Sequence, residues 1–154
     1  MLGFKKKKEI FSPAKGQCID ITDVKDAVFS SKMMGDGIAI SPEDKSIVAP
    51  VSGNLTLLAD TKHAFGIQTK EGLEILVHIG IDTVELGGEG FSTDIKANTK
   101  VKKGETIVTI DKDELEKKGY DITVILILLN GEKSDFNKIK IGEKVYAGEK
   151  ILEL

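Results

Sequence analysis

The sequence predicts an all-β domain, an antiparallel sandwich or barrel. Short β-rich runs recur between glycine-containing turns, helical periodicity is scarce, and two segments of the chain repeat. The 154 residues suit one hydrophobic core. About ten short strands fit this pattern, among them 38–40, 53–59, 65–70, 74–79, 106–111 and 122–128. Helices are expected only at 23–29 and 112–118. In the second, Asp113 and Glu114 come early and Lys117 and Lys118 late, as the helix dipole favours, and Gly119 reads as the stop.

The repeats are Phe11-Ser12-Pro13-Ala14-Lys15-Gly16 with Val48-Ala49-Pro50-Val51-Ser52-Gly53, and Val101-Lys102-Lys103-Gly104-Glu105-Thr106-Ile107 with Val145-Tyr146-Ala147-Gly148-Glu149-Lys150-Ile151. Each places a tight turn just ahead of a β-like run, the arrangement of a duplicated unit. Residues 1–10 read as a flexible N-terminal segment and 11–154 as the folded domain. Lys5 to Lys8 form a basic run, read as a solvated end rather than a membrane contact.

Composition narrows the function. Lys and Arg total 22 against 25 Asp and Glu, a net charge of −3 that argues against nucleic acid as the main ligand. The longest apolar run, Val124 to Leu129, falls far short of the roughly 20 residues that span a bilayer, and no signal-peptide pattern follows Met1, so a cytoplasmic location is expected. A single cysteine, Cys18, excludes an internal disulfide and a Cys-x-x-Cys zinc site. It reads as a small buried strand residue.

The chain has two histidines, His63 and His78, in neighbouring candidate strands. A two-residue hairpin loop at Glu71-Gly72 would pair Phe65 with His78 and set His63 opposite Gly80. The histidines then become diagonal neighbours on one face, with Cβ atoms roughly 7 Å apart. In that register Leu73, Ile75, Val77 and Ile79 face the core, while Phe65, Ile67 and Leu76 surround the histidines as an apolar docking patch. A slip of one residue would send the two rings to opposite faces. Histidine suits reversible phosphoryl transfer at neutral pH because its neutral ring keeps a nucleophilic nitrogen. A second imidazole could stabilise the phosphoryl oxygens, with Thr61 orienting His63.

Three stretches then match one family: Gly35-Asp36-Gly37-Ile38-Ala39-Ile40, Thr61-Lys62-His63-Ala64-Phe65, and Glu74-Ile75-Leu76-Val77-His78-Ile79-Gly80-Ile81-Asp82-Thr83-Val84-Glu85-Leu86. They resemble the glucose-type enzyme IIA domain of the bacterial phosphoenolpyruvate-dependent sugar phosphotransferase system. Gly88-Glu89-Gly90-Phe91 and Val101 to Glu105 extend the likeness over nearly the whole chain from Phe11. The resemblance implies an antiparallel β-sandwich of the duplicated hybrid motif (barrel-sandwich) type with one or two short helices. It makes His78 the phosphorylated residue, His63 its companion and Thr61 the companion's hydrogen-bond partner. It implies phosphate arriving from the histidine phosphocarrier protein and leaving to a cysteine on the IIB domain of a membrane sugar transporter, which fixes the sugar.

The same resemblance places Asp26, Phe29 and Asp82 on the partner-facing patch. No cofactor and no metal is expected to be required, although His63 and His78 could hold zinc if a partner supplied a carboxylate. Membrane association is expected only through the transporter. Leu76 and Ile79 stand where some relatives have phenylalanine, and the short N-terminal stretch lacks the amphipathic tail of some members. A biotinyl or lipoyl carrier shares the glycine turns, but no Met-Lys-Met or Asp-Lys-Ala occurs. A zinc peptidase would need a His-x-His spacing that is also missing.

Overall fold

Alternation along the strands sorts apolar side chains onto two faces of one long sheet, and that sheet carries both histidines. The computed structural model describes residues 8–129 and 137–154. Lys5 to Lys7 of the basic run lie outside the described residues. Fourteen strands are present among those described: β1 (Glu9–Phe11), β2 (Gly16–Asp20), β3 (Gly37–Pro42), β4 (Ser46–Val48), β5 (Gly53–Leu58), β6 (Ala64–Gln68), β7 (Glu74–Ile79), β8 (Phe91–Ser92), β9 (Thr99–Val101), β10 (Thr106–Ile110), β11 (Val124–Leu128), β12 (Asn137–Lys138), β13 (Lys144–Val145) and β14 (Lys150–Glu153). Eight form a sheet in the order β13-β2-β3-β11-β7-β6-β5-β9, and two three-stranded sheets, β1-β14-β12 and β4-β10-β8, complete an antiparallel β-sandwich with no closed barrel. β1 opens inside the segment expected to be flexible, and Ile10 is fully buried.

The sequence repeats are a structural duplication. The Phe11 N–H donates to the Pro50 carbonyl at 2.9 Å, and Val48 N–H reciprocates to Pro13 at 2.7 Å. Ser12 N–H bonds Glu149 O and receives Gly148 N–H on its own carbonyl; Ala49 makes the same two bonds with Glu105 and Gly104. Glu149 and Glu105 each turn a side-chain oxygen back to a backbone N–H three residues earlier, on Tyr146 and Lys102. Identical backbone bonds thus explain why the same residues recur.

β11 (Val-Ile-Leu-Ile-Leu) is buried on both faces, so it reads as a continuous apolar run rather than an alternating one. Val124, Leu126 and Leu128 enter the main core between the sheets, with Ile75, Val77, Ile79, Phe65 and Ile67. Ile125 and Ile127 enter a smaller cluster on the other face with Ala39, Ala64, Leu76 and Phe29. Burying each Ile or Leu contributes about 1.5–3 kcal/mol. Close strand approach also explains Gly37, where a Cβ would lie 1.8 Å from the Leu126 carbonyl oxygen.

Strand positions match the expected ones closely, but the β6–β7 register is one residue off. Ala64 pairs with His78 and Phe65 with Val77. Instead of a two-residue turn, Thr69 N–H bonds Leu73 O, Gly72 N–H bonds Thr69 O, and Gly72 takes φ +92. This is a turn followed by a left-handed glycine, an odd-length loop. Phe65 and Ile67, expected on the histidine face, therefore point into the main core at 0% and 1% exposure. Leu76 stays on the histidine face, in the smaller cluster.

Both expected helices form, shorter than anticipated at the first: a 3-10 turn at Ile21–Asp23 precedes α1 (Ala27–Ser30), and α2 spans Lys112–Lys117. Asp111 caps α2 through the Glu114 N–H, and Gly119 leaves it at φ +85. Cys18 is buried in β2; burial, helped by Glu143 and other nearby carboxylates, pushes its thiol up to about 11, which disfavours the thiolate at neutral pH. Among the described residues no helix is long and apolar enough to cross a membrane.

Candidate functional site

His78 sits near the end of β7, half-buried, with Ile125 of β11 directly beside it on one side and Ala64 of β6 on the other. Neither of these apolar neighbours offers the ring a polar side chain, and its hydrogen bond is made at the strand end. There, the ring's Nδ1 lies 2.9 Å from the Gly80 carbonyl oxygen. A carbonyl only accepts, so Nδ1 carries the proton and Nε2 of the neutral ring keeps its lone pair. Gly80 has φ +82, and a Cβ there would meet Thr83 Cγ2 at 2.4 Å, so glycine is needed to bend the strand back under the ring.

His63 arrives by a different route from the one expected. With the observed register, strand alternation would send it to the core face, opposite Ile79, whose N–H donates to the His63 carbonyl. His63 precedes β6, however, and Lys62 takes the left-handed conformation at φ +61 while its N–H closes a turn onto Ala59 O. That turn interrupts the alternation just before His63. The two rings meet edge to face with centroids 5.1 Å apart and planes at 82°. Thr61 Oγ1 lies 2.5 Å from His63 Nδ1, as expected.

Phe29 of α1 closes the other side of His78, with centroids 4.9 Å apart. α1 is anchored there by Asp26, whose carboxylate accepts the Val28 N–H, and by burial of Phe29 at 5% exposure. Asp82 follows Gly80 in the left-handed conformation at φ 58, exposed, with no capping bond of its own. The structure thus gathers His63, His78, Thr61, Phe29, Leu76, Asp26 and Asp82 on one face, and removes Phe65 and Ile67 from it. Sequence reasoning missed the Gly80 carbonyl, and also Val28 and Val84, apolar residues 44% and 53% exposed beside Phe29 and Asp82 in the chain. Val28 lies within α1 and Val84 in the 3-10 turn Thr83–Leu86, and nothing in the sequence set either apart from a core residue.

Burial lowers the pKa of both rings. For His78 the neighbouring His63 acts in the same direction, while the Gly80 bond, Asp26 and Asp82 oppose it. The neutral, nucleophilic form therefore dominates at pH 7. Among the described residues no group of three or more His, Cys, Asp or Glu is placed to hold a metal ion.

Residues 8–134 match the model of a family described as phosphoenolpyruvate-dependent sugar phosphotransferase system, EIIA 1. The chain belongs to this family. As an EIIA domain it is a phosphotransferase component, a phosphoryl carrier of sugar transport. It is 45% identical over 135 residues to the glucose-specific EIIA component of Buchnera aphidicola, covering 88% of this chain and 83% of that one. The β-glucoside-specific EIIBCA component of Bacillus subtilis is 42% identical over 145 residues, 94% of this chain, which spans only 24% of that composite protein's length. Among solved structures, the glucose permease IIA from Mycoplasma capricolum superimposes with a TM-score of 0.92 at 40% identity, covering 99% of each chain. Among the described residues, the apolar cluster on the histidine face takes Ile21, Val24 and Phe29 from α1 and the 3-10 turn before it, and no member from either three-stranded sheet.

Proposed function

We propose that this EIIA domain accepts a phosphoryl group on His78 Nε2 from the histidine phosphocarrier protein and passes it to a cysteine on the IIB domain of a membrane sugar transporter. Sugar uptake is then coupled to sugar phosphorylation. The observation that carries this reading is the His78 Nδ1–Gly80 bond, which leaves Nε2 as the nucleophile beside a second imidazole. In the first step the donor's P–N bond breaks as a bond forms between phosphorus and His78 Nε2. In the second that bond breaks as the IIB thiolate forms an S–P bond. His78 keeps its Nδ1 proton throughout.

His63, with Nδ1 engaged by the Thr61 hydroxyl, offers Nε2–H to the phosphoryl oxygens as charge is redistributed. Leu76 and Phe29 fix the apolar floor under His78, and Asp26 and Asp82 flank it with negative charge suited to a basic partner. Composite relatives that join EIIA to EIIB and EIIC support the IIB partner. The domain acts on the cytoplasmic side, meets the membrane only through the transporter, and needs neither metal nor organic cofactor for transfer. Residues 11–154, together with the start of β1 from Glu9, constitute the working domain.

Reconstitution tests this. With phosphoenolpyruvate, enzyme I and the phosphocarrier protein, the chain should become phosphorylated and then charge a IIB domain, and a chelator added once the phosphocarrier protein is charged should make no difference to either transfer. Failure of both transfers with active components would refute the reading, and loss on chelation would refute a metal-free reaction.

A further inference from the structure

The hydrogen bond that fixes the His78 tautomer depends on an oxygen that an antiparallel ladder would normally use up. Gly80 N–H donates to the Thr123 carbonyl at 2.8 Å, which marks the two as a hydrogen-bonded pair. In such a pair both N–H groups exchange, so Thr123 N–H should return to Gly80 O. Instead the Asp121 carboxylate takes it: Oδ1 accepts the Thr123 N–H at 2.9 Å and the Thr123 hydroxyl at 2.6 Å. Gly80 O is thereby free to receive His78 Nδ1–H.

One residue earlier the pattern recurs. Ile79 N–H donates to the His63 carbonyl at 2.7 Å, but the Ile79 carbonyl accepts from the Thr83 hydroxyl at 2.5 Å. Thr83 is fully buried, one of two buried polar residues among those described. Its methyl group also stands where a Gly80 Cβ would be. The next peptide is closed by Ile81 N–H on the Asp121 carbonyl at 2.8 Å. All four polar groups of the two peptides on either side of Gly80 are therefore tied, two of them by backbone, one by His78 and one by Thr83.

The geometry points to Thr83 and Asp121 as positioning residues: together they aim the Gly80 carbonyl at His78 Nδ1 and keep it unshared, so that only Nε2 is available as nucleophile. Neither touches the imidazole pair in the distances above; they act through the backbone. Without the Thr83 hydroxyl, the Ile79 carbonyl is left buried and unpaired, and the peptide turns to find a donor. Without the Asp121 carboxylate, Thr123 N–H competes for Gly80 O. Either change lets His78 populate the other tautomer, with the proton on Nε2.

This inference rests on the proposed phosphoryl transfer only for its consequence, so its test begins with a property of the unphosphorylated protein. Two-bond proton–nitrogen correlation spectra of full-length chain report the proton position on each ring. The original protein should show His78 protonated at Nδ1 alone. Thr83→Val and Asp121→Ala should each give a mixture of tautomers, and slow phosphate acceptance by up to about a hundredfold, as a small misplacement of a reacting group does. Thr83→Ser and Asp121→Asn, which keep an oxygen in place, should restore both. A buried Thr83→Val that failed to fold would leave Asp121→Ala, at a half-buried position, to decide the matter. Retention of a pure Nδ1–H ring in a folded Asp121→Ala protein would overturn the proposal. If the original protein had the expected tautomer but took no phosphate, the functional reading would fall while this structural one stood.

Discussion

His63 and His78 stand with ring centroids 5.1 Å apart but are held by unlike groups, a threonine hydroxyl for one and a backbone carbonyl for the other. A carbonyl dictates a tautomer; a hydroxyl, able to donate or accept, does not. That difference supports the proposal that His78 is the nucleophile and His63 the supporting group.

His78→Gln should accordingly abolish phosphate acceptance. His63→Gln should still accept it, since the amide can donate to phosphate, yet pass it to IIB slower by about a hundredfold because it cannot change protonation as charge moves. Rapid-quench measurement of each half-reaction separates the two. The reverse pattern would exchange the assigned roles.

Stability should respond to acid through the same rings. Burial holds both pKa values below the ordinary value, with His63 adding to the effect on His78, so the unfolded chain takes up protons first as pH falls. Their contribution is complete above about pH 6.5 and is lost as pH drops from there through the depressed folded-state values. Thermal melts from pH 7.5 to 5 should show a fall that is shallower in a His63→Gln, His78→Gln double variant. Equal slopes would contradict the lowered pKa values.

Two apolar residues should behave oppositely. Phe65, fully buried in the main core, should cost about 3–5 kcal/mol when changed to Ala, visible in denaturant titration. Val28, 44% exposed beside Phe29, should alter stability by no more than about 0.5 kcal/mol as Val28→Asp while weakening phosphocarrier docking, measured by titration calorimetry. Unchanged affinity would remove Val28 from the docking surface.

The sequence made the fold class, the duplication and the histidine face legible because each depends on local residue types. Gly104 and Gly148 mark the same turn in both halves, and their N–H groups do make equivalent bonds, to Ala49 and Ser12. The β6–β7 register was not legible. Glu71-Gly72 suits a two-residue loop, yet the same glycine in a left-handed conformation closes the longer turn from Thr69. That one-residue difference moved Phe65 and Ile67 into the core. His63 still reached His78, because the left-handed Lys62 reversed the effect locally. Asp121's part in freeing Gly80 O lay beyond sequence reasoning, since the two meet only once β7 and β11 pair.

The most direct test of the account is to locate the phosphate itself. After incubation with phosphoenolpyruvate, enzyme I and the phosphocarrier protein, phosphorus and nitrogen NMR with mass spectrometry of the intact chain should find one acid-labile phosphoryl group on Nε2 of His78, and none on His78→Gln. Phosphate on His63, on Nδ1 of His78, or in acid-stable linkage to a serine or threonine would contradict it.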